Sequence, residues 1–475
     1  VPRQPEPRGA SSESRHLAFD LGAGSGRAML GTLSPEGLSL AELHRFRYAP
    51  EQRDGHLRWP FARIREGLEA GLSEAARAAR GPVASVGVDS WAVDYGLVDD
   101  DGALVEDPIA YRDHRTDGAV ERVLRELPQQ ELFAITGLQR LQFNTLFQLH
   151  EHVRAGLPAR ARLLLMIPDL CHQALCGARR SEYTNASTTQ LVDVRARGWA
   201  DALFARLRLP RALMPELVPP GTPLGPLDAR LRAGPALAAT RVIAPATHDT
   251  ASAVAGTPLQ PGWAYISSGT WSLVGVERTE PLVTEAVASA NFTNEGGACG
   301  TIRLLKNVMG LWILESLRRE WQAAGRAVEL PELLDGVARL GRSPAVVFPD
   351  DPRFFNPESM AHALEEALRD SGQRVPDDPA ALARVVLDSL ALRYASVVEA
   401  IERLTGERVQ GIHVVGGGCQ NLYLNQATAD AARRPVLAGP VEATATGNVL
   451  LQAIACGSLR SLAEGRRLLG APRRF

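Results

Sequence analysis

His16-Leu-Ala-Phe-Asp20-Leu-Gly-Ala-Gly-Ser-Gly-Arg27-Ala-Met-Leu-Gly-Thr-Leu33 is the stretch on which the fold turns. Residues 16–19 and 28–33 read as short strands, two β-forming runs separated by a turn that holds three glycines. Glycine lets backbone N–H groups face a phosphate without side-chain interference, and Asp20, at the strand end, is placed to hold a hydrated Mg2+. Two familiar phosphate loops are excluded. A P-loop needs Gly-Lys-Ser/Thr, which is absent here, and a Rossmann turn opens a helix, whereas Arg27 to Leu33 continues as a strand. What remains is a β-hairpin, either a grip for phosphate or an ordinary glycine turn.

Working outward, Phe61, Ile64, Leu68, Leu72 and Ala75 recur at helical spacing, and Gly81-Pro82 ends that helix before a predicted strand over residues 83–88. Strand, helix and strand in alternation predict an α/β protein. Prolines cluster at 210, 215, 219, 220, 223 and 226, which reads as an extended surface connection. A strand resumes over 241–246, and the boundary is placed near Ala244. The expected organisation is a disordered tail at residues 1–15, an N-terminal domain at 16–244 and a C-terminal domain at 245–475. Leu382 to Leu404 is a long helix with apolar residues around most of its circumference, and Gly406 stands where a left-handed cap belongs. Ile412 to Val415 then reads as a strand running into Gly416-Gly-Gly418, with a helix from about Leu422.

Charge narrows the function. Across 475 residues, 52 basic side chains face 54 acidic ones, for a formal charge of −2. Arginines interspersed with acids argue against a nucleic-acid binder or a polybasic membrane protein, so small molecules are the expected partners. No apolar run approaches the ~18 residues of a membrane span. The 5 cysteines form no Cys-x-x-Cys pair. A cytoplasmic chain with reduced thiols and no zinc site is therefore expected. Lys306 is the single lysine.

Four further segments carry candidate chemistry. Thr247-His-Asp249-Thr250 leaves a strand and enters an Ala-rich helix. It could be only a helix cap, but a carboxylate there is also suited to act as general base for an incoming hydroxyl. Gly416-Gly-Gly418 joins a strand to a helix, so a nucleotide could approach its backbone closely. Asp89-Ser-Trp91-Ala92-Val-Asp94-Tyr95 mixes acids and aromatics at a strand exit, which suits a sugar or a core tryptophan. Ser267-Ser-Gly-Thr270-Trp-Ser272 is a hydroxyl-rich turn that could line phosphates.

Together these segments resemble the FGGY carbohydrate kinases of the actin-like ATPase superfamily. The match runs in order from about Leu17 to Gly457 and includes Gly87-Val-Asp-Ser-Trp-Ala-Val-Asp94, Ala110-Tyr-Arg-Asp-His-Arg115 and Gln142-Phe-Asn-Thr-Leu146. It continues through Glu182-Tyr-Thr-Asn-Ala-Ser-Thr-Thr-Gln190, Asn291-Phe-Thr-Asn-Glu-Gly-Gly297, Leu305-Lys-Asn-Val-Met-Gly-Leu-Trp312 and Ala438-Gly-Pro-Val-Glu-Ala443. The resemblance implies two ribonuclease-H-like domains flanking a cleft and transfer of the γ-phosphoryl group of ATP, with Mg2+, to a ketose hydroxyl. L-Rhamnulose, at its C1 hydroxyl, is the expected acceptor, with L-fuculose, D-xylulose or a non-catalytic sugar sensor as alternatives. Carried over by residue, Asp249 is the general base and Asp20 the metal ligand. Trp91, Ala92, Asp94, His248, Thr250 and Asn307 bind the sugar. Ala23, Gly24, Ser25, Gly26, Arg27, Thr270, Glu315 and Gly417 bind ATP. Ala92 stands where a sugar-contacting glycine is usual. Glu315 replaces a nucleotide-contacting glutamine, bringing a negative charge and losing an amide donor. A monomer or weak homo-oligomer is expected, and Lys306, beside Asn307, is a candidate point charge that a guanidinium would not replace.

Overall fold

The computed structural model describes residues 13–341 and 345–475. Most of the expected tail lies outside the described residues. Ser14 and Arg15, however, already belong to the first strand, Ser14–Leu21. The chain forms two compact units. One comprises Val1–Pro258, Arg278–Arg303 and Ala443–Gly470; the other comprises Leu259–Glu277, Leu304–Glu442 and Ala471–Phe475.

In the first unit the predicted hairpin is present: Ser14–Leu21 pairs antiparallel with Ser25–Ser34, which pairs antiparallel with Gly37–Arg47. On its other side Ser14–Leu21 runs parallel to Val83–Ser90, which runs parallel to Arg241–Ala244. Leu17, Phe19, Val86 and Val88 are fully buried because helices cover both faces of the sheet. Phe61–Ala78 lies on the Phe19 face, where Gly71 permits the approach: a Cβ there would stand 2.5 Å from the Phe19 ring. On the opposite face Ala18 and Met29 pack with Ala445 and Val449 of the Ala443–Ala455 helix.

That last helix explains why the expected boundary near Ala244 differs from the observed division. Arg241–Ala244 feeds the short helix Asp249–Ala255. This helix packs backbone to backbone on Ala443–Ala455: a Cβ on Gly447 would stand 1.8 Å from the Ser252 carbonyl oxygen, and one on Gly256 would stand 2.1 Å from that of Ala443. Thr247 to Ala253 therefore belongs to the first unit, not to the second half as expected. The proline-rich stretch is also more ordered than a surface connection. Glu216–Val218 pairs with Arg180–Glu182, and Thr222–Pro226 forms the sheet edge beside Arg241–Ala244, where missing N–H groups cost no ladder bond to a further strand.

The second unit repeats the arrangement. Its strands neighbour one another in the order Ile302–Met309, Trp271–Arg278, Ala264–Ser268, Ile412–Val415, Val436–Ala438 and Arg473–Arg474. Ala264–Ser268 is antiparallel to Trp271–Arg278 and parallel to Ile412–Val415. A hairpin beside parallel strands thus occurs in both sheets. The predicted long helix spans Pro379–Thr405, started by an Asp378 side chain that accepts from the Ala381 N–H and closed by Gly406 at φ 72°. Among the described residues, no helix is long and apolar enough to cross a membrane.

Candidate active site

Strand register assembles the carboxylates of the first unit. Asp20 stands opposite Arg27 on one side and Asp89 on the other. Arg27 Nη2 donates to Asp20 Oδ2 at 2.5 Å, so this guanidinium, expected on ATP phosphates, anchors Asp20. Asp89 is fully buried. Asn448 donates to its Oδ2 at 2.5 Å, while its Oδ1 has no hydrogen-bond partner among the described residues. Burial, and then the charge of Asp20, hold the Asp89 carboxyl well above the ordinary range. The end of the same strand sets the next residue: Ser90 N–H donates to Thr247 O at 2.8 Å, and Ser90 bridges His248 in parallel register. Asp249 follows at once. Its side chain remains 32% exposed, open to a ligand. Burial of the carboxylate within the site, with Asp20 close by, raises its pKa to about 7.

The donors around Asp249 are one-sided. Oδ1 accepts from Thr250 N at 2.5 Å and from Thr250 Oγ1 at 3.3 Å, and His248 Nε2 lies 3.4 Å from it. Thr250, expected to bind sugar, therefore holds the carboxylate, and His248, also expected to bind sugar, stands beside it.

The backbone leading to Asp249 is clamped from the 182–190 segment. Buried Glu182 accepts at Oε2 from Thr247 N and Oγ1, each at 2.8 Å, and from Thr184 Oγ1 at 2.5 Å. Thr184 Oγ1 in turn accepts from His248 N at 3.2 Å. An acid inside a hydroxyl-rich run gave no spacing signal for this role.

Asp94 supports an aromatic wall. The carboxylate is wholly buried and accepts from Trp59 Nε1 at 2.7 Å, Trp91 Nε1 at 3.0 Å, Tyr111 N at 3.2 Å and Gln148 Nε2 at 3.2 Å. Burial lifts its pKa to about 6, against the pull of those donors. Its oxygens are committed to the protein, and it braces Trp91 against Trp59, whose ring centroids are 4.6 Å apart. Sequence reading missed Trp59. Tyr48 lies 6.1 Å from the Trp91 ring, and its hydroxyl donates to Gly22 O at 2.7 Å, tying the wall to the glycine hairpin. Ala92 is half-buried, and Val93 takes φ 69°, a strained conformation for a β-branched residue.

Within the hairpin, Gly22 N donates to Ser25 O and Gly24 N to Gly22 O, leaving Ala23 and Gly24 exposed at the tip. Gly26 is demanded by packing, since a Cβ would lie 2.4 Å from the Phe46 ring.

The second unit holds the remaining candidates. Of the three consecutive glycines, Gly416 needs its φ of 80°, and a Cβ on Gly418 would lie 2.0 Å from Ser268 Oγ. Gly417 alone is exposed, with nothing within 4 Å of a Cβ among the described residues, so only its backbone is open to a ligand. Thr270 is exposed at the Ala264–Ser268 hairpin, whose turn accepts Leu311 N at Gly269 O and Trp312 N at Thr270 O. Exposed Glu315 is paired with Arg318 at 2.9 Å. Asn307 and Lys306 are half-buried in this unit. Burial and the neighbouring Arg393, opposed by Asp350, bring the Lys306 ammonium down to about 8.

Two family models cover this chain. Residues 16–256 match the N-terminal domain of the FGGY family of carbohydrate kinases, and residues 264–456 match its C-terminal domain. The chain belongs to the FGGY family of carbohydrate kinases. Among its FGGY relatives, the rhamnulokinase of Pectobacterium carotovorum subsp. carotovorum (strain PC1) is 43% identical over 458 residues, covering 95% of this chain and 90% of that one. The rhamnulokinase of Enterococcus faecalis (strain ATCC 700802 / V583) is 41% identical over 458 residues, covering 95% and 91%. The FGGY fold is matched by the crystal structure of gluconate kinase from Lactobacillus acidophilus, with a TM-score of 0.81 at 14% identity over 98% of this chain and 94% of that one.

Proposed function

We propose that this FGGY kinase transfers the γ-phosphoryl group of ATP to the C1 hydroxyl of L-rhamnulose, with Asp249 as general base. The observation that carries the reading is the one-sided holding of Asp249: its donors converge on Oδ1, so Oδ2 is the oxygen that takes the hydroxyl proton. A carboxylate with a pKa of about 7 is a far better proton acceptor than an ordinary aspartate, yet remains largely ionised slightly above neutrality. The choice of L-rhamnulose rests on the rhamnulokinases, 37% to 43% identical, to which the chain is similar.

The oxygen donors suit Mg2+. Asp20 and the unsatisfied Oδ1 of Asp89, whose raised pKa a bound cation would lower, are hard oxygen donors that would hold the ion directly or through water. Bound there, Mg2+ supplies neutralisation of phosphate charge. Arg27 orients Asp20, Asp94 holds Trp91 for stacking against the sugar, and the Glu182 clamp holds the backbone that carries the base. In the second unit, exposed Thr270 and Gly417 serve the nucleotide, and use of ATP fits a cytoplasmic enzyme.

Coupled ADP release with Mg2+-ATP and a panel of L-rhamnulose, L-fuculose and D-xylulose tests this function. The highest kcat/KM is expected with L-rhamnulose, and absence of turnover with every ketose favours a sugar sensor. Asp249→Asn is expected to lose about 10²–10⁴-fold in kcat while still binding sugar. Near-full activity of that variant rules Asp249 out as the base.

A further inference from the structure

Arg303 has an unusual position for a guanidinium, with 0% exposure. Its charge is met by buried Glu295, with Nη2 to Oε2 at 3.2 Å, and its Nε donates to Gly296 O at 2.9 Å. The same Nη2 lies 2.9 Å from His248 Nδ1. A guanidinium has donors and no acceptor, so a bond between these nitrogens requires Nδ1 to accept and the ring proton to sit on Nε2. The competing arrangement, Nδ1–H donating to Glu295 Oε2, spans a longer 3.5 Å and would leave the Arg303 donor pointing at a protonated nitrogen. Nε2 is the nitrogen turned toward Asp249 Oδ1.

We infer that Arg303 is a positioning residue for phosphoryl transfer, holding His248 as the Nε2–H tautomer so that the imidazole donates toward Asp249 Oδ1 and leaves Oδ2 to receive the substrate proton. Glu295 completes the device by keeping Arg303 in place and neutralising it. The opposite tautomer would aim a ring lone pair at the carboxylate, repelling Oδ1 and offering a second site for the proton. Burial and Arg303 together hold His248 well below the ordinary histidine range, so the ring stays neutral and does not pair with Asp249 as a cation. The charged groups around these two residues are Asp20, Asp89 and Arg303 for Asp249, and Arg303, Glu295 and Asp249 for His248. Neither Arg303 nor Glu295 has a sequence motif that announces this role.

The inference rests on Asp249 acting as the base, and its test separates the two readings. Long-range 15N–1H spectra of the full-length, 15N-histidine-labelled protein, with His248 assigned through His248→Gln, are expected to show the Nε2–H tautomer between pH 7 and 8. An Nδ1–H tautomer or an imidazolium there overturns the inference, whatever the enzyme's activity. In kinetics, Arg303→Met combined with Glu295→Gln, which strands no buried charge, is expected to lower kcat about 10²-fold with the KM for ATP unchanged. His248→Gln should cost a similar factor, and adding it to the double variant should cost little more. Losses that multiply show that Arg303 does not act through His248. If the double variant does not fold, the tautomer spectrum still decides. Failure of Asp249 as base shows instead as an active Asp249→Asn enzyme.

Discussion

Asp249 must be ionised to accept a proton, yet its surroundings favour the neutral acid. A pKa raised from the ordinary aspartate value of 3.8 to about 7 gives two opposite pH dependences. Activity requires the carboxylate, so kcat/KM should fall about tenfold per unit as pH drops below about 7, in a pH-rate profile at saturating ATP. Stability runs the other way. Between the unfolded value near 3.8 and the folded value near 7, the native state binds more protons than the unfolded chain, so the contribution of Asp249 declines as pH rises across that window. Asp249→Asn, which cannot ionise, should therefore gain in melting temperature relative to wild type from pH 5 to pH 8, as read by calorimetry. A difference that does not grow with pH contradicts the strained carboxylate. Asp249, Asp20 and Trp91 were all visible as residue types at strand ends. Arg303, Trp59 and Asn448 were not, because each acts on a partner remote in sequence, and Glu295, though inside the 291–297 run, has no spacing that marks its pairing with Arg303.

At the scale of elements, the two glycine turns show how composition alone misleads. Three consecutive glycines in Gly416-Gly-Gly418 suggest ligand approach throughout, yet packing and backbone conformation account for two of them. Gly418→Ala would drive a methyl to 2.0 Å from Ser268 Oγ, an overpacking that costs about 1–3 kcal/mol and lowers the melting temperature by several degrees. Gly417→Ala meets no atom within 4 Å among the described residues and should leave the melting temperature unchanged while raising the KM for ATP. Thermal unfolding and ATP titration of the pair separate the structural glycine from the binding one; an unaltered KM in Gly417→Ala removes that backbone from the nucleotide site. The hairpin over 14–34, the helix Phe61–Ala78, the strand Val83–Ser90 and the helix Pro379–Thr405 were legible from periodicity and punctuation. The proline-rich strand Thr222–Pro226 was not, since proline at a sheet edge and proline in a surface connection have the same local signature.

For the whole molecule, the first unit is built from three separated stretches of chain. Gln452 donates to Leu17 O at 2.9 Å and accepts from Ser85 Oγ at 2.6 Å, while Asn448 satisfies buried Asp89. A fragment ending at residue 244 would lose these partners and the helix crossing at Gly256 and Gly447, opening to water the apolar sheet face that Ala445 and Val449 cover. Such a fragment should lack near-UV circular dichroism and be digested rapidly by protease, whereas a chain that also retains 245–258, 278–303 and 443–470 keeps the complete set of contacts. A stable, protected fragment 16–244 contradicts this account. The amino-acid sequence by itself determined the class and order of the elements, the paired α/β halves and the family, and it singled out Asp249 as the candidate base, because strand and helix periods, glycine turns and long motifs are local properties. Only the tertiary structure decided which distant segment completes the first unit, which glycines are open, and which arginine stands behind the histidine beside the base. Burial and hydrogen bonding couple residues by distance in space, and that distance is set by the packed sheet and its helices.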